Sequence, residues 1–183
     1  MITNTNYNYG DASMSFFCPG EELLLTIKTP HLKINSIELS DIRDIWKLYK
    51  EEKTFQEITK KVKKWQKLWE AGNPCSVLAV RLSESYEFIG YLGLKEKDKG
   101  RVKLFGHGYS EYWKTYGYEA TTAVTQAYVR GINAILKPAI PFCLIEVETE
   151  VDNNISNQIL RKLGLEYKKE AMSHYAILLW SEI

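Results

Sequence analysis

The stretch 110-SEYWKTYGYEATTAVTQAYVRG-131 decides the interpretation of this chain, because an aromatic-rich turn there runs into helix-forming sequence around one glycine, Gly117. A helix N-terminus leaves backbone N–H groups unpaired and carries partial positive charge, so a strand leading into one offers an anion site. Glycine lets a ligand approach the backbone without meeting a Cβ. The sequence predicts a helix from about Gly117 to Leu136, with either an ordinary turn or an anion site at its start.

Strand candidates lie on both sides of this helix. The segments 76-SVLAVRL-82, 86-YEFIGYLGL-94 and 101-RVKLFGHGY-109 are separated by short polar turns, which predicts an antiparallel meander. After the helix, 142-FCLIEVETEV-151 alternates apolar and acidic residues as a strand does. Asp152 and Asn153 can then cap a helix that ends at Leu163-Gly164, the expected C-terminal glycine. The last segment, 165-LEYKKEAMSHYAILLW-180, predicts a closing hairpin.

Two further helices are predicted before the meander, after extended sequence over residues 23–39. Ser40 is a good N-cap for the first, and Thr54 begins a capping-box pattern for the second. The lysines of the second helix form either a solvated face or a docking patch. Strands followed by helical crossovers indicate a mixed α/β, α+β-like class.

The bulk composition indicates a soluble globular domain over residues 23–183, preceded by a polar extension, residues 1–22, that we expect to be flexible. A net charge of +1 gives no reason to expect nucleic acid or a membrane surface as partner. Three widely spaced cysteines suggest neither a disulfide framework nor a metal site. No signal peptide or spanning segment is recognisable, so we expect a cytoplasmic protein.

Four segments carry a resemblance to the GNAT (Gcn5-related N-acetyltransferase) superfamily and, within it, the RimJ/RimL-like branch, over roughly residues 23–180. The segment 29-TPHLKINSIELSD-41 resembles the opening strand and helix start of that branch, and 88-FIGYLGL-94 resembles its third strand. The segment 108-GYSEYWKTYGYEA-120 is similar to the turn that contains the acyl-CoA loop. The most specific match is 151-VDNNISNQILRKLGLEY-167, which is similar to the Asn-x-x-Ser helix of the branch.

The resemblance implies a GNAT fold, with a splayed, mostly antiparallel sheet of six or seven strands and about four helices. It implies direct transfer of an acetyl group from acetyl-CoA to a primary amine through a tetrahedral intermediate, without a metal. The acceptor would be a protein N-terminal α-amine or a small-molecule amine, and the enzyme a monomer or homodimer. The alternative is a non-catalytic module of this fold that binds acyl-CoA or a protein partner.

The resemblance places the coenzyme along the fourth strand, at the start of the following helix and at the last helix. These positions are Phe105, Gly106, Gly108, Tyr109, Lys114, Thr115, Tyr116, Gly117, Tyr118 and Asn153. The loop departs from the family pattern at Glu119, where a small residue is expected. Either Glu119 points out as a first-turn residue favoured by the helix dipole, or the alignment slips so that Ala120 takes the small position, or coenzyme affinity is reduced.

Four side chains are candidates for proton transfer. His107 is the first choice as general base, since histidine titrates at about pH 6.5. Glu146 and Glu148 compete for that role, acting directly or through water. Many family members use a tyrosine as acid where this chain has Leu160, so the resemblance assigns the acid role to Ser156, the serine of Asn-x-x-Ser.

Overall fold

The computed structural model describes residues 5–9, 12–17, 24–49, 51–73, 75–97, 100–128, 144–150, 152–170 and 173–179. The strands are β1 (Thr5–Tyr9), β2 (Ala12–Phe17), β3 (Leu24–Lys28), β4 (Leu32–Ser36), β5 (Val77–Leu82), β6 (Phe88–Glu96), β7 (Arg101–Gly108), β8 (Leu144–Thr149), β9 (Glu166–Glu170) and β10 (Ser173–Leu179). The helices are α1 (Ile42–Tyr49), α2 (Phe55–Glu70), α3 (Ser110–Thr122) and α4 (Asn154–Lys162). A 3-10 turn, Leu39–Asp41, precedes α1, and a π-helical turn, Ala123–Tyr128, continues α3.

The ten strands form one sheet in the order β1-β2-β3-β4-β5-β6-β7-β8-β10-β9. Neighbouring strands are antiparallel except for β7 and β8, which run parallel from the pair Arg101 and Leu144 to the pair Leu104 and Val147. Beyond that last pair, β7 continues to Gly108 and β8 to Thr149 without pairing to each other. The predicted mixed class with a splayed, mostly antiparallel sheet is confirmed.

The sheet contains ten strands where six or seven were expected, and two of the additional strands, β1 and β2, fall inside the predicted extension, residues 1–22. These two strands pair antiparallel with each other, and β2 pairs with β3 from Ser13 opposite Lys28 to Phe17 opposite Leu24. Both strands also lie against the π-helical turn that follows α3. The boundary at residue 22 and the flexibility of this segment stay predictions.

One face of α2 packs on the sheet. Its buried residues are Ile58, Val62, Trp65 and Trp69, at the spacing expected for a single apolar stripe. The predicted capping box is confirmed, since the Thr54 hydroxyl accepts from the Glu57 N–H and the Glu57 carboxylate accepts from the Thr54 N–H. Most lysines of α2 are exposed, as a solvated face requires.

Helix α3 begins at Ser110, so the predicted start near Gly117 is wrong. Tyr109 is its N-cap in extended conformation, and the Tyr112 and Trp113 N–H groups both donate to the Tyr109 carbonyl. Gly117 therefore lies in the helix interior, where glycine is about 1 kcal/mol less favourable than alanine. The predicted end at Leu136 lies outside the described residues.

The contact that explains Gly117 is with α4. A Cβ at position 117 would approach the Ile159 Cδ1 atom to 2.7 Å, so the glycine allows α3 and α4 to pack closely. Helix α4 has Asn153 as N-cap, as predicted, and it ends before Gly164, whose φ of 77° suits glycine. Strands β9 and β10 form the predicted closing hairpin.

Candidate active site

A cleft opens where β7 and β8 part. Its wider cavity, of about 220 Å³, is lined by Gly106, His107, Gly108, Ser110, Trp113, Asn153, Ile155 and Ser156. A smaller cavity of about 80 Å³ includes Phe105, Leu104, Thr121, Val147, Glu148, Thr149, Ile159 and Leu160 in its wall. Both cavities share Gly106, Trp113 and Ser156, so they form one continuous cleft between the parted strands and helices α3 and α4.

The indole of Trp113 forms one wall of the cleft, and glycines make room for it. A Cβ on Gly90 would approach the Trp113 Cζ3 atom to 2.8 Å, and one on Gly108 would overlap the same ring. Gly90 and Gly108 are opposite each other in the β6–β7 ladder, so they lie on the same face of the sheet. The two glycines therefore let the ring lie directly against the strands.

The N-terminus of α3 opens into this cleft at Ser110. Its N-cap, Tyr109, makes no side-chain cap hydrogen bond; the Tyr109 hydroxyl instead donates to the Asp44 carbonyl at 3.3 Å. The N-terminus of α4 differs, because the Asn153 Oδ1 atom accepts from the Ser156 N–H at 3.1 Å. Of the two helix ends at the cleft, α3 is the one left without a side-chain cap.

A buried hydroxyl also faces the cleft. Among the described residues, the Thr149 Oγ1 atom has no hydrogen-bond partner, although it is inaccessible to water. Thr149 lines the smaller cavity at the point where β8 has separated from β7. Buried hydroxyls are normally satisfied, so this atom lacks a partner that a ligand in the cleft could supply after rotation of the Thr149 side chain.

His107 lies on β7, and its ring is on the face of the sheet opposite to the face that Trp113 contacts. It pairs in register with Tyr91, and its ring lies 4.8 Å from that of Tyr49, centroid to centroid. The Tyr49 and Tyr91 hydroxyls are hydrogen-bonded to each other. Burial lowers the pKa of His107 below its ordinary 6.5, with an opposing contribution from Glu52, so the imidazole is neutral at pH 7.

The glutamates of β8 have different surroundings. The Glu148 carboxylate forms an ion pair with the Lys103 ammonium of the neighbouring strand, although Glu148 also lines the smaller cavity. Glu146 is half-buried and opposite Lys103 in the ladder. The Glu148 carboxylate is therefore already engaged by a side chain of the neighbouring strand.

Comparison with solved structures identifies the fold. An acetyltransferase of the GNAT family from Bacillus anthracis matches 86% of this chain and 99% of its own with a TM-score of 0.65 at 16% identity. RimL, a ribosomal L7/L12 alpha-N-protein acetyltransferase, matches 87% and 97% with a TM-score of 0.66 at 12% identity. The dodecameric spermidine N-acetyltransferase from Vibrio cholerae matches 82% and 94% with a TM-score of 0.61 at 15% identity.

The chain has the GNAT fold. This confirms the fold that the sequence motifs indicate, with RimL among the similar structures. No protein-family model and no curated protein matches the sequence.

Within the GNAT fold, the predicted site residues separate into two groups. The residues that line the cleft are Phe105, Gly106, His107, Gly108, Glu148, Asn153 and Ser156. Lys114, Thr115 and Tyr118 are exposed on the second and third turns of α3, and Tyr116 is half-buried with its ring 5.9 Å from that of His31. Gly117 is buried against α4, so its backbone does not face the cleft.

Glu119, the departure from the loop pattern of the GNAT fold, is held away from the cleft. Its carboxylate accepts from the Thr29 hydroxyl, from the His31 N–H at 3.0 Å, and pairs with His31 Nδ1 at 2.9 Å. Burial raises the pKa of Glu119, but the hydrogen bonds from Thr29 and His31 outweigh it, so the pKa lies below 4.5. Glu119 therefore points out, but it lies on the third turn of α3 and not on the first turn, where the sequence interpretation placed it.

Several residues of the site carried no recognisable signal in the sequence. Trp113, Tyr49, Tyr91 and Thr149 come from four different elements, and only the fold brings them to the cleft or to His107. Alternating glycines on β7 are the one local hint that a large ring packs there.

No cluster of three metal-ligating side chains occurs in the described parts of the chain. No helix among those residues has the length and apolar character needed to cross a bilayer.

Proposed function

We propose that this protein transfers an acetyl group from acetyl-CoA to a primary amine. The observation that carries the proposal is the parting of parallel strands β7 and β8, which opens a cleft lined by Gly106 and Ser156 directly beside His107. A cleft of this form can hold the narrow pantetheine chain that carries the acetyl group. It also brings that group close to a side chain that can accept a proton. The GNAT fold of the solved acetyltransferases supports it.

The residues of the cleft fit acetyl-CoA. Residues 105–108 of β7 have a free edge towards β8, along which an extended pantetheine chain can pair as an added strand. The unpartnered Thr149 hydroxyl can satisfy one of its polar groups. The uncapped first turn of α3, with Ser110 in the cleft and Lys114 one turn on, suits the diphosphate.

This arrangement moves the anion site one and a half to two turns upstream of Gly117, to the N-terminus that α3 actually has. Thr115, Tyr116 and Tyr118 then have no direct role in our proposal, and Phe105, Gly106 and Gly108 keep theirs. Asn153 caps α4 and lines the same cavity, so its amide can serve both the helix and the coenzyme.

Proton transfer is assigned to two side chains. Acetyl-CoA supplies an activated acyl group as a thioester. His107 accepts the proton that the attacking amine loses, and its lowered pKa keeps it neutral for that purpose. Ser156 lines both cavities and donates a proton to the leaving sulfur. Glu148 acts through water only if its pairing with Lys103 opens.

The acceptor is either a protein N-terminal α-amine or a small-molecule amine. Proteins of both kinds share the fold, since RimL is named for the first activity and the Vibrio cholerae enzyme for spermidine acetylation. We further propose a cytoplasmic protein that is a monomer or homodimer.

Calorimetry with acetyl-CoA, followed by a free-thiol assay over a panel of amines and peptide N-termini, tests the proposal. We expect binding, and thiol release that depends on an amine. Absence of binding would remove every coenzyme-dependent function. Binding without turnover would favour a non-catalytic acyl-CoA-binding module, which the buried Leu160 at the position of the usual tyrosine acid also favours.

Ser156→Ala is expected to lower kcat on the order of tenfold or more with little change in coenzyme affinity, because the hydroxyl acts on the leaving group. The matched control is Ser40→Ala, an exposed serine in the turn before α1. An unchanged kcat in Ser156→Ala would remove this serine from the acid role.

A further inference from the structure

Lys61 differs from the other lysines of α2. It is half-buried, whereas Lys60, Lys63, Lys64 and Lys67 are exposed. Its ammonium lies 4.9 Å from the ring centroid of Trp65 and 5.2 Å from that of Tyr49. Burial, and to a smaller extent the charge of Lys53, lower the pKa of Lys61.

A second ammonium approaches the same tyrosine. The Lys53 Nζ atom lies 5.6 Å from the Tyr49 ring centroid. Within the described residues, no carboxylate lies within 4.0 Å of the ammonium of Lys53 or Lys61. Cation–π contacts offset part of the cost of desolvating Lys61, but two like charges around one ring attract an anion.

These two lysines stand beside the proposed base. The Tyr49 ring that both approach is in contact with the His107 ring, and of the two charges that act on His107 that of Glu52 is the larger and that of Lys61 opposes it. Trp113, Gly106 and Gly108, where we place the coenzyme, lie on or against the other face of β7. An acceptor that reaches His107 from the face on which α1 and α2 lie therefore passes Lys53 and Lys61.

Given the proposed function, on which this inference rests, we infer that the acceptor is an amine with an anionic group a few bonds away. Lys61, assisted by Lys53, would bind that carboxylate and so direct the amine towards His107. Two sources have this chemistry: a free amino acid, and a peptide whose N-terminal residue is acidic. Polycationic amines are disfavoured because their charges repel these ammonium groups.

The test compares amines that carry or lack the anionic group, with kcat/KM expressed per concentration of unprotonated amine because amidation also lowers the pKa of an α-amine. Leucine is paired with leucinamide, a peptide beginning with Glu is paired with the same peptide beginning with Gln, and spermidine is added as a polycation. With the free-thiol assay, we expect kcat/KM to be about tenfold higher for the anionic member of at least one pair, the value typical of one hydrogen bond to a charged group. The pair that shows the difference identifies the source.

Two variants assign the preference to the lysine. Lys61→Gln is expected to bring the ratio of kcat/KM within the pair close to one, and Lys64→Gln, an exposed lysine of the same helix, is expected to leave it unchanged. Equal rates for anionic and neutral amines, faster turnover of spermidine, or an unchanged ratio in Lys61→Gln would overturn the inference.

A binding measurement separates this inference from the proposed function. Calorimetry with leucine and leucinamide on protein saturated with coenzyme A does not depend on turnover. Tighter binding of leucine that Lys61→Gln abolishes, without turnover of any amine, would reject the transferase and keep the anion site. Turnover of amines without any preference for the anionic member would reject the anion site and keep the transferase.

Discussion

The carboxylate of Glu119 ties α3 to the turn between β3 and β4. Three groups donate to or pair with it, from Thr29 and His31, so the carboxylate that would repel a diphosphate is held by hydrogen bonds away from the cleft. Because its side chain is only 24% exposed, these contacts are partly shielded from solvent. The residue that departs from the family loop pattern therefore has a structural role in this chain.

Glu119→Gln is expected to lower the free energy of unfolding at pH 7 by about 1 kcal/mol, the usual value of a hydrogen bond. The pKa of Glu119 is lowered in the folded state, so its contribution is present above pH 4.5 and is lost as pH falls through the folded pKa. Urea unfolding should show a smaller difference from the unsubstituted protein at pH 3 than at pH 7. Glu84→Gln, in an exposed turn, is the control; equal effects at both pH values would contradict the charge-based explanation.

His107→Gln is expected to reduce kcat/KM by roughly 10²- to 10⁴-fold, the range for loss of a general base. Because burial lowers the pKa of His107, the acid limb of the pH–rate profile should lie below pH 6.5 in the unsubstituted enzyme and disappear in the variant. Steady-state assays between pH 5 and 9 measure both effects. His31→Gln should keep the limb, and a limb that persists without His107 would assign the base elsewhere.

At the scale of elements, the middle of α3 packs against α4 and does not form the phosphate-binding loop that the sequence suggested around Gly117. Its interior glycine lies against Ile159, and its N-terminus, one and a half to two turns earlier, faces the cleft. The helix then continues into a π-helical turn against β1 and β2. Contacts at both ends and on one face fix where the uncapped N-terminus lies.

Gly117→Val is expected to destabilise the fold by about 1–3 kcal/mol, because the added methyl groups overpack the contact with Ile159. Coenzyme affinity should change far less than stability, since the backbone of residue 117 does not face the cleft. Thermal unfolding and calorimetry with acetyl-CoA measure the two quantities. Loss of affinity at an unchanged melting temperature would instead restore the anion site that the sequence suggested at Gly117.

The sequence predicted those elements whose signals are local. Thr54 and Glu57 form the predicted capping box, Asn153 is the predicted N-cap, and Gly164 follows the last helix as expected. The start of α3 was missed because Tyr109 is not a usual N-cap residue. The helix begins there because tertiary contacts of Trp113 stabilise its first turn, and tertiary packing overrides local preference.

At the scale of the whole molecule, the fold class followed from the order of strands and helices, but the composition of the site did not. Tyr49, Lys61 and His107 come from α1, α2 and β7, and only the folded sheet brings them together. The β1–β2 hairpin was likewise not predicted, since its residues are polar and lack clear alternation. Contacts between distant segments are what a single sequence does not reveal.

Removal of residues 1–22 is expected to lower the melting temperature, because it exposes the edge of β3 and the π-helical turn. Coenzyme affinity should be retained, since β1 and β2 lie at one end of the sheet, and the cleft lies between β7 and β8. Thermal unfolding and calorimetry of the shortened chain test this. A loss of coenzyme affinity would assign the hairpin a role at the cleft.

Because Trp113 lines the cleft, ligand binding there can be followed by tryptophan fluorescence. Its indole lines both cavities, whereas Trp46, Trp65 and Trp69 belong to helices on the opposite face of the sheet. A ligand that enters between β7 and β8 displaces water from that ring, so its fluorescence emission should shift as the cleft fills. Occupancy could thus be followed in real time, and the rates of ligand arrival and departure could be measured before any acceptor is known.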